Sequence, residues 1–131
     1  MTERIQEEFK LLQALYKNSE LKDNWVLLPT YRLPNGMEWN KGICSVCFQF
    51  PVGYPGTPPY GFYTPSDINF NSQVPDNFQA STQNVPPFTG PWGFFSWTPD
   101  EGQWKISADA SKGSNIINFV LSFDQRFRMG K

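Results

Sequence analysis

Few residues in this 131-residue chain can do covalent chemistry, and histidine is absent. The two cysteines, Cys44 and Cys47, stand in a C-x-x-C pair, a spacing that suggests zinc or redox chemistry. A structural zinc needs about four ligands, and no second Cys or His pair accompanies this one. The pair also lies within GICSVCFQF, residues 42–50, which reads as a strand. Residues three apart on a strand point to opposite faces, so the thiols are expected as two separate, buried or half-buried groups. Without histidine, no Ser-His or Cys-His dyad can form within the chain. One hydroxyl stands out by context: Ser96, at the centre of the aromatic run Trp92-Gly93-Phe94-Phe95-Ser96-Trp97.

The elements that would position such a group are marked by a second unusual run, FPVGYPGTPPYGFYT, residues 50–64. Phe50-Pro51, Tyr54-Pro55 and Pro58-Pro59 follow one another within ten residues. Each proline holds φ near −65°, removes a ladder donor and pushes the residue before it toward extended geometry. A stiff, aromatic-lined connector after a strand is expected. Upstream, Ile5, Phe9, Leu12 and Leu15 or Tyr16 form the stripe of an amphipathic helix over residues 3–17, with Thr2 as N-cap. Residues 25–33 read as a strand that Pro29 interrupts, which predicts a place near a sheet edge. Pro34-Asn35-Gly36 signals a turn, and residues 37–50 supply one or two further strands. A short extended piece is expected over residues 61–64. From 65 to 91 the chain is rich in Asn, Gln, Ser, Thr and Pro with no period of 2 or 3.6, so an irregular insertion is expected before the aromatic run. Ile116, Phe119 or Val120, Phe123 and Phe127 mark a second helix, with Ser114 as cap and Arg126 and Arg128 in its last turn. The pattern is that of a single α+β domain, residues 1–131.

Composition narrows the function classes. A formal net charge of −1 leaves no basic footprint for nucleic acid. Lys and Arg are scattered, and no apolar run approaches the roughly 20 residues that span a bilayer, so a membrane role is not expected. The charged, amphipathic start MTERIQEEFK is unlike a secretory signal, and the expected location is cytoplasmic. Aromatic residues at 17% with 12 prolines suit a β-rich body with stiff loops.

The 50–64 run resembles the FP-x-x-YP-x-x-PP signature of ubiquitin-conjugating (UBC-fold) enzymes, and Tyr63 and Thr64 fall where that family places an aromatic and a threonine. The preceding helix and antiparallel strands also come in the family's order. In the family, an irregular segment with a His-Pro-Asn motif follows, then a Gly-x-aliphatic-Cys-Leu motif bearing the catalytic cysteine, and a tryptophan eight residues later. Gly93-Phe94-Phe95-Ser96-Trp97 is similar to that cysteine motif, and Trp104 lies eight residues after Ser96. The resemblance therefore puts Ser96 at the catalytic position and implies a UBC-like fold: N-terminal helix, antiparallel sheet, proline-rich connector, irregular active-site segment, C-terminal helix. The departures are equally specific. Serine replaces cysteine, His-Pro-Asn is missing as such, and the family's later C-terminal helices have no counterpart. Counting forward from Pro58-Pro59 lands the asparagine on Asn71, whereas counting back from Ser96 makes Asn84 the nearer candidate. Together these point to the family's divergent bacterial branch. Its members resemble partners of a ubiquitin-like protein, an activating enzyme and a JAB-type peptidase, in gene sets often linked to antiviral defence.

The resemblance implies acyl transfer without cofactor or metal. Ser96 would take the C-terminal glycyl group of a ubiquitin-like protein from an activating enzyme as an oxyester and pass it to a target amine. A serine hydroxyl is a weak nucleophile without an adjacent base, and here the base would be Asp, Glu or Lys, or come from the activating enzyme. Asp100 and Glu101 are near in sequence. Asn84 is the candidate to stabilise the oxyanion, an effect of roughly 3–4 kcal/mol in other acyl-transfer enzymes. Two other readings stay open: a non-catalytic UBC-fold module that binds a ubiquitin-like protein or pathway partner, favoured by the serine, and an aromatic-rich carbohydrate- or peptide-binding domain, favoured by composition. Trp92, Trp97 and Trp104 are expected as packing residues.

Overall fold

The two apolar stripes become helices because their period of 3.6 gives each one face to bury. In the computed structural model, which describes residues 3–98 and 104–131, α1 spans Glu3–Leu15 and α2 spans Ile116–Arg128. Ile5 and Leu12 of α1 and Ile116, Phe119, Val120, Phe123 and Phe127 of α2 are buried in one core. Leu15 is instead 61% exposed, because the helix ends there and Tyr16 turns in to stack on Tyr31. Thr2 lies outside the described residues. The cap of α2 is Asn115, not Ser114. Its side chain accepts from the N–H groups of Ile117 and Asn118 while Asn118 reaches back to the Asn115 N–H, a reciprocal capping box. The Ser114 hydroxyl accepts from the Lys105 N–H at 2.8 Å instead.

Between the helices lie β1 (Glu20–Lys22), β2 (Trp25–Arg32), β3 (Ile43–Gln49), β4 (Phe62–Pro65), β5 (Phe78–Gln79) and β6 (Trp92–Phe95). They form a six-stranded sheet in the order β1-β2-β3-β4-β6-β5, and the pairs are antiparallel. The fold is α+β. Strand alternation divides the side chains between two faces. Val26, Leu28, Val46, Phe48, Phe62 and Phe95 join the helices in the main core. Trp25, Cys47, Tyr63 and Trp92 cluster on the outer face with Leu27, Phe88 and Phe94 packed against them. Among the described residues, no helix is long and apolar enough to cross a membrane.

Pro29 lies near a sheet edge, as expected. β2 is the second strand, and proline is tolerated because the register with β3 shifts between Leu28 and Tyr31, a bulge where no ladder donor is required. β1 pairs only as far as Leu27, so no strand lies opposite Pro29 on that side. Residues 37–50 yield one strand, β3. The 65–91 stretch is less irregular than its composition predicts: Pro65 closes β4 and the segment contains β5. A two-residue strand is too short to leave a period in the sequence. The rest is pinned by side chains. Asn40 exchanges bonds with Asn69 and donates to the Asp67 carbonyl at 2.9 Å, and Trp39 meets Phe70 edge-on at 5.1 Å.

Candidate functional site

The proline-rich connector is tied to the body by a buried carboxylate absent from the sequence reading. Glu8 of α1 is fully buried. One of its oxygens accepts from the Tyr54 hydroxyl and from the Ile116 N–H at the start of α2, the latter at 2.8 Å; the other pairs with Arg4. Arg4 in turn donates to the Ser107 carbonyl. One side chain thus joins α1, the connector and the positive end of α2, where a carboxylate is favoured by the helix dipole and by orphan N–H groups. Tyr54-Pro55 is cis. The Tyr54 ring packs on Phe50 at 4.8 Å and on Trp104 at 6.1 Å, and the Trp104 indole donates to the Pro55 carbonyl at 2.9 Å. The proline signature and the tryptophan downstream of Ser96 therefore touch.

Ser96 follows the last residue of β6 and is half-buried. Its N–H donates to the Asn77 carbonyl at 2.9 Å, and the carbonyl of Trp97 accepts from the Gly61 N–H at 2.7 Å. Both sides of the strand end are thus held. Phe95 lies in the main core and Trp97 packs against it, the latter donating its indole N–H to the Ser122 hydroxyl at 3.0 Å. Alternation between them turns Ser96 to the outer face, beyond Phe94. The close passage of β4 here requires glycine: Gly61 has φ +75°, and a Cβ would meet the Phe94 ring at 2.1 Å and the Phe95 carbonyl at 2.8 Å. Tyr60, 59% exposed, sits 6.2 Å from Phe94. Among the described residues the Ser96 hydroxyl has no hydrogen-bond partner, so no base is in place there. Asp100 and Glu101 lie outside the described residues.

The two asparagines considered from the sequence go elsewhere. Asn84 donates its amide to Gln49 at 3.0 Å and to the Tyr63 hydroxyl at 3.2 Å, which fastens the segment before Phe88 to the outer sheet face. Asn71 has φ 51° and donates its N–H to the Glu38 carbonyl at 2.8 Å, part of the turn against Trp39. Neither is hydrogen-bonded to Ser96. The asparagine that is bonded, through its backbone, is Asn77, which has φ 58° and lies opposite Ser96 in the continuing β5–β6 register. Sequence counting missed it because β5 is two residues long; the only signal was the Asp76-Asn77 turn pair before Phe78.

The cysteines separate as strand geometry requires. Cys44 lies in the main core and Cys47 in the outer cluster, and both are free and buried. Burial pushes the Cys44 thiol up to about 12, against a smaller opposing pull from Lys41, and burial likewise raises Cys47. Both are held as neutral thiols, unsuited to nucleophilic or ligand roles near neutral pH. Among the described residues no group of three or more His, Cys, Asp or Glu comes together to hold a metal ion. Trp92 serves packing, donating its indole N–H to the Phe88 carbonyl at 2.9 Å. No protein-family model matches the chain, and no curated protein or solved structure matches it either.

Proposed function

We propose that this chain is a ubiquitin-conjugating-enzyme-like protein of a bacterial ubiquitin-like modification pathway, with a UBC-like arrangement of its α+β fold. The observation that carries the reading is the contact between Trp104 and the Tyr54-Pro55 connector. Two motifs that the family resemblance links only by spacing are packed together, and the strand end between them presents Ser96, whose hydroxyl has no hydrogen-bond partner among the described residues.

In this reading Ser96 Oγ attacks the C-terminal glycyl carbonyl of a ubiquitin-like protein carried by its activating enzyme. An O–C bond forms, the bond to the activating enzyme breaks, and the hydroxyl proton passes to a base. A target amine then attacks the ester, the C–O bond breaks, and the serine oxygen regains a proton. Asn84 remains the proposed oxyanion donor only if its amide leaves Gln49 and Tyr63 when the ubiquitin-like chain binds. An alternative keeps the fold and drops the chemistry: a non-catalytic module that holds the ubiquitin-like protein or a pathway partner, favoured by serine in place of cysteine and by the committed amide of Asn84.

The test mixes the full chain with activating enzyme, ATP and ubiquitin-like protein. The catalytic reading expects an adduct that survives thiol reductant, is cleaved by mild base and disappears in Ser96→Ala. Binding of the ubiquitin-like protein without any adduct selects the module. An adduct that persists in Ser96→Ala removes Ser96 as the acceptor.

A further inference from the structure

Arg126 carries the one buried cation in the last turn of α2, and its surroundings are unusual. It is 2% exposed and makes no ion pair with a carboxylate among the described residues. Its guanidinium donates to the carbonyls of Asp76 at 2.7 Å and Gly130 at 3.0 Å, and it lies over the Phe95 ring at 4.8 Å. Burying a guanidinium is costly unless it is well engaged, and a helix C-terminus alone is satisfied by an exposed cation such as Arg128, which pairs with Asp124. What Arg126 grips is informative. Asp76 immediately precedes Asn77 and Phe95 immediately precedes Ser96, and Asn77 and Ser96 are joined by the 2.9 Å backbone bond. One rigid fork therefore holds both chain segments at the point where they deliver Ser96.

We propose that Arg126 is the positioning residue for Ser96, fixing the Asp76-Asn77 turn and the end of β6 so that the hydroxyl is held at one place on the outer face. The proposal rests on the conjugating-enzyme reading for its functional consequence, but its geometric part stands apart from that reading. Lysine cannot replace the fork, because a single ammonium lacks the planar set of donors that reaches two carbonyls while lying flat on a ring.

The test uses the full chain and two variants, Arg126→Lys and Arg126→Met, followed by residue-resolved amide exchange. Both variants are expected to speed exchange of the Ser96 N–H at least tenfold, while the amides of Val46 and Phe48 in β3 change less than threefold. If Arg126→Met does not fold, Arg126→Lys, which keeps the charge and most of the stem, supplies the comparison. Unchanged Ser96 exchange, or an equal rise throughout the sheet, overturns the proposal. Where the wild-type chain forms the Ser96 adduct, Arg126→Lys is expected to lower the rate of adduct formation at saturation more than tenfold, with little change in the ubiquitin-like protein concentration needed for half-saturation. A loss confined to that concentration also overturns it. Absence of any wild-type adduct removes the conjugating reading while the exchange result still judges the positioning role.

Discussion

Replacing Glu8 by alanine should be among the most damaging single changes in this protein. The substitution removes the acceptor for the Tyr54 hydroxyl and the Ile116 N–H and strips Arg4 of its ion pair. Hydrogen bonds to a charged group are worth about 1.5–3 kcal/mol each, and an orphaned buried donor costs about 1–3 kcal/mol. Breaking a buried ion pair from one side costs about 3–5 kcal/mol. These figures overlap rather than add, so Glu8→Ala is expected to lose about 4 kcal/mol, or about 15 °C in Tm for a chain of this length. Glu8→Gln keeps a carbonyl acceptor and should lose about 2 kcal/mol, and Tyr54→Phe, which leaves Glu8 bonded to Ile116 and Arg4, about 1.5 kcal/mol. Denaturant unfolding of the two single variants and the Glu8→Ala/Tyr54→Phe double variant measures the coupling. In the Glu8→Ala background the Tyr54 hydroxyl is already an orphan, so removing it should cost nothing or restore a little stability. A loss below about 1 kcal/mol for Glu8→Ala, or full additivity of the pair, would refute the idea that this carboxylate joins the connector to both helices.

Three further outcomes follow from the packing. Asn115→Ala abolishes the reciprocal cap of α2 and the bond from Asn115 to the Ala110 carbonyl, with an expected loss of about 2 kcal/mol by denaturant unfolding; a change within about 0.5 kcal/mol would show the cap to be dispensable. The buried thiol of Cys44, raised by desolvation from 9.0 to about 12, should be alkylated at least 100-fold more slowly in the folded chain than in urea at pH 8.5, as read by mass spectrometry. Because the folded value lies above the unfolded one, the neutral thiol's contribution is complete below pH 9 and is lost as pH rises toward about 12. Unfolding midpoints should therefore fall across that window, and by less in Cys44→Ala; an equal fall in both would remove Cys44 as a contributor.

Much of the scaffold was legible where a local period speaks directly. The helix stripes of α1 and α2 and the placing of Cys44 and Cys47 on opposite faces follow from backbone periods of 3.6 and 2, which no distant contact needs to supply. Pro29 was legible as a near-edge position, since β1 pairs only as far as Leu27, but the bulge against β3 between Leu28 and Tyr31 was not, because register is decided by pairing. The candidate site was legible only as an address. Ser96 was reached through its aromatic motif and the spacing to Trp104, but its neighbours were not: Asn77 enters through a strand too short to show a pattern, and Asn84 is held by Gln49 and Tyr63.

Alone, the order of residues determined which stretches could be helix or strand, that the connector is stiff, and that histidine-based chemistry is absent, because these depend on covalent geometry, local period and residue type. Tertiary structure decided why Glu8 and Arg126, two charged residues on otherwise ordinary helix faces, are buried: beside one local partner each, Glu8 meets Tyr54 and Ile116 and Arg126 meets Asp76, all distant along the chain. It also brought Trp104 onto Pro55 and Ser96 beside Asn77. Hydrogen-bond partners for a buried charge can come from anywhere in the chain, and no local pattern announces which segment will supply them.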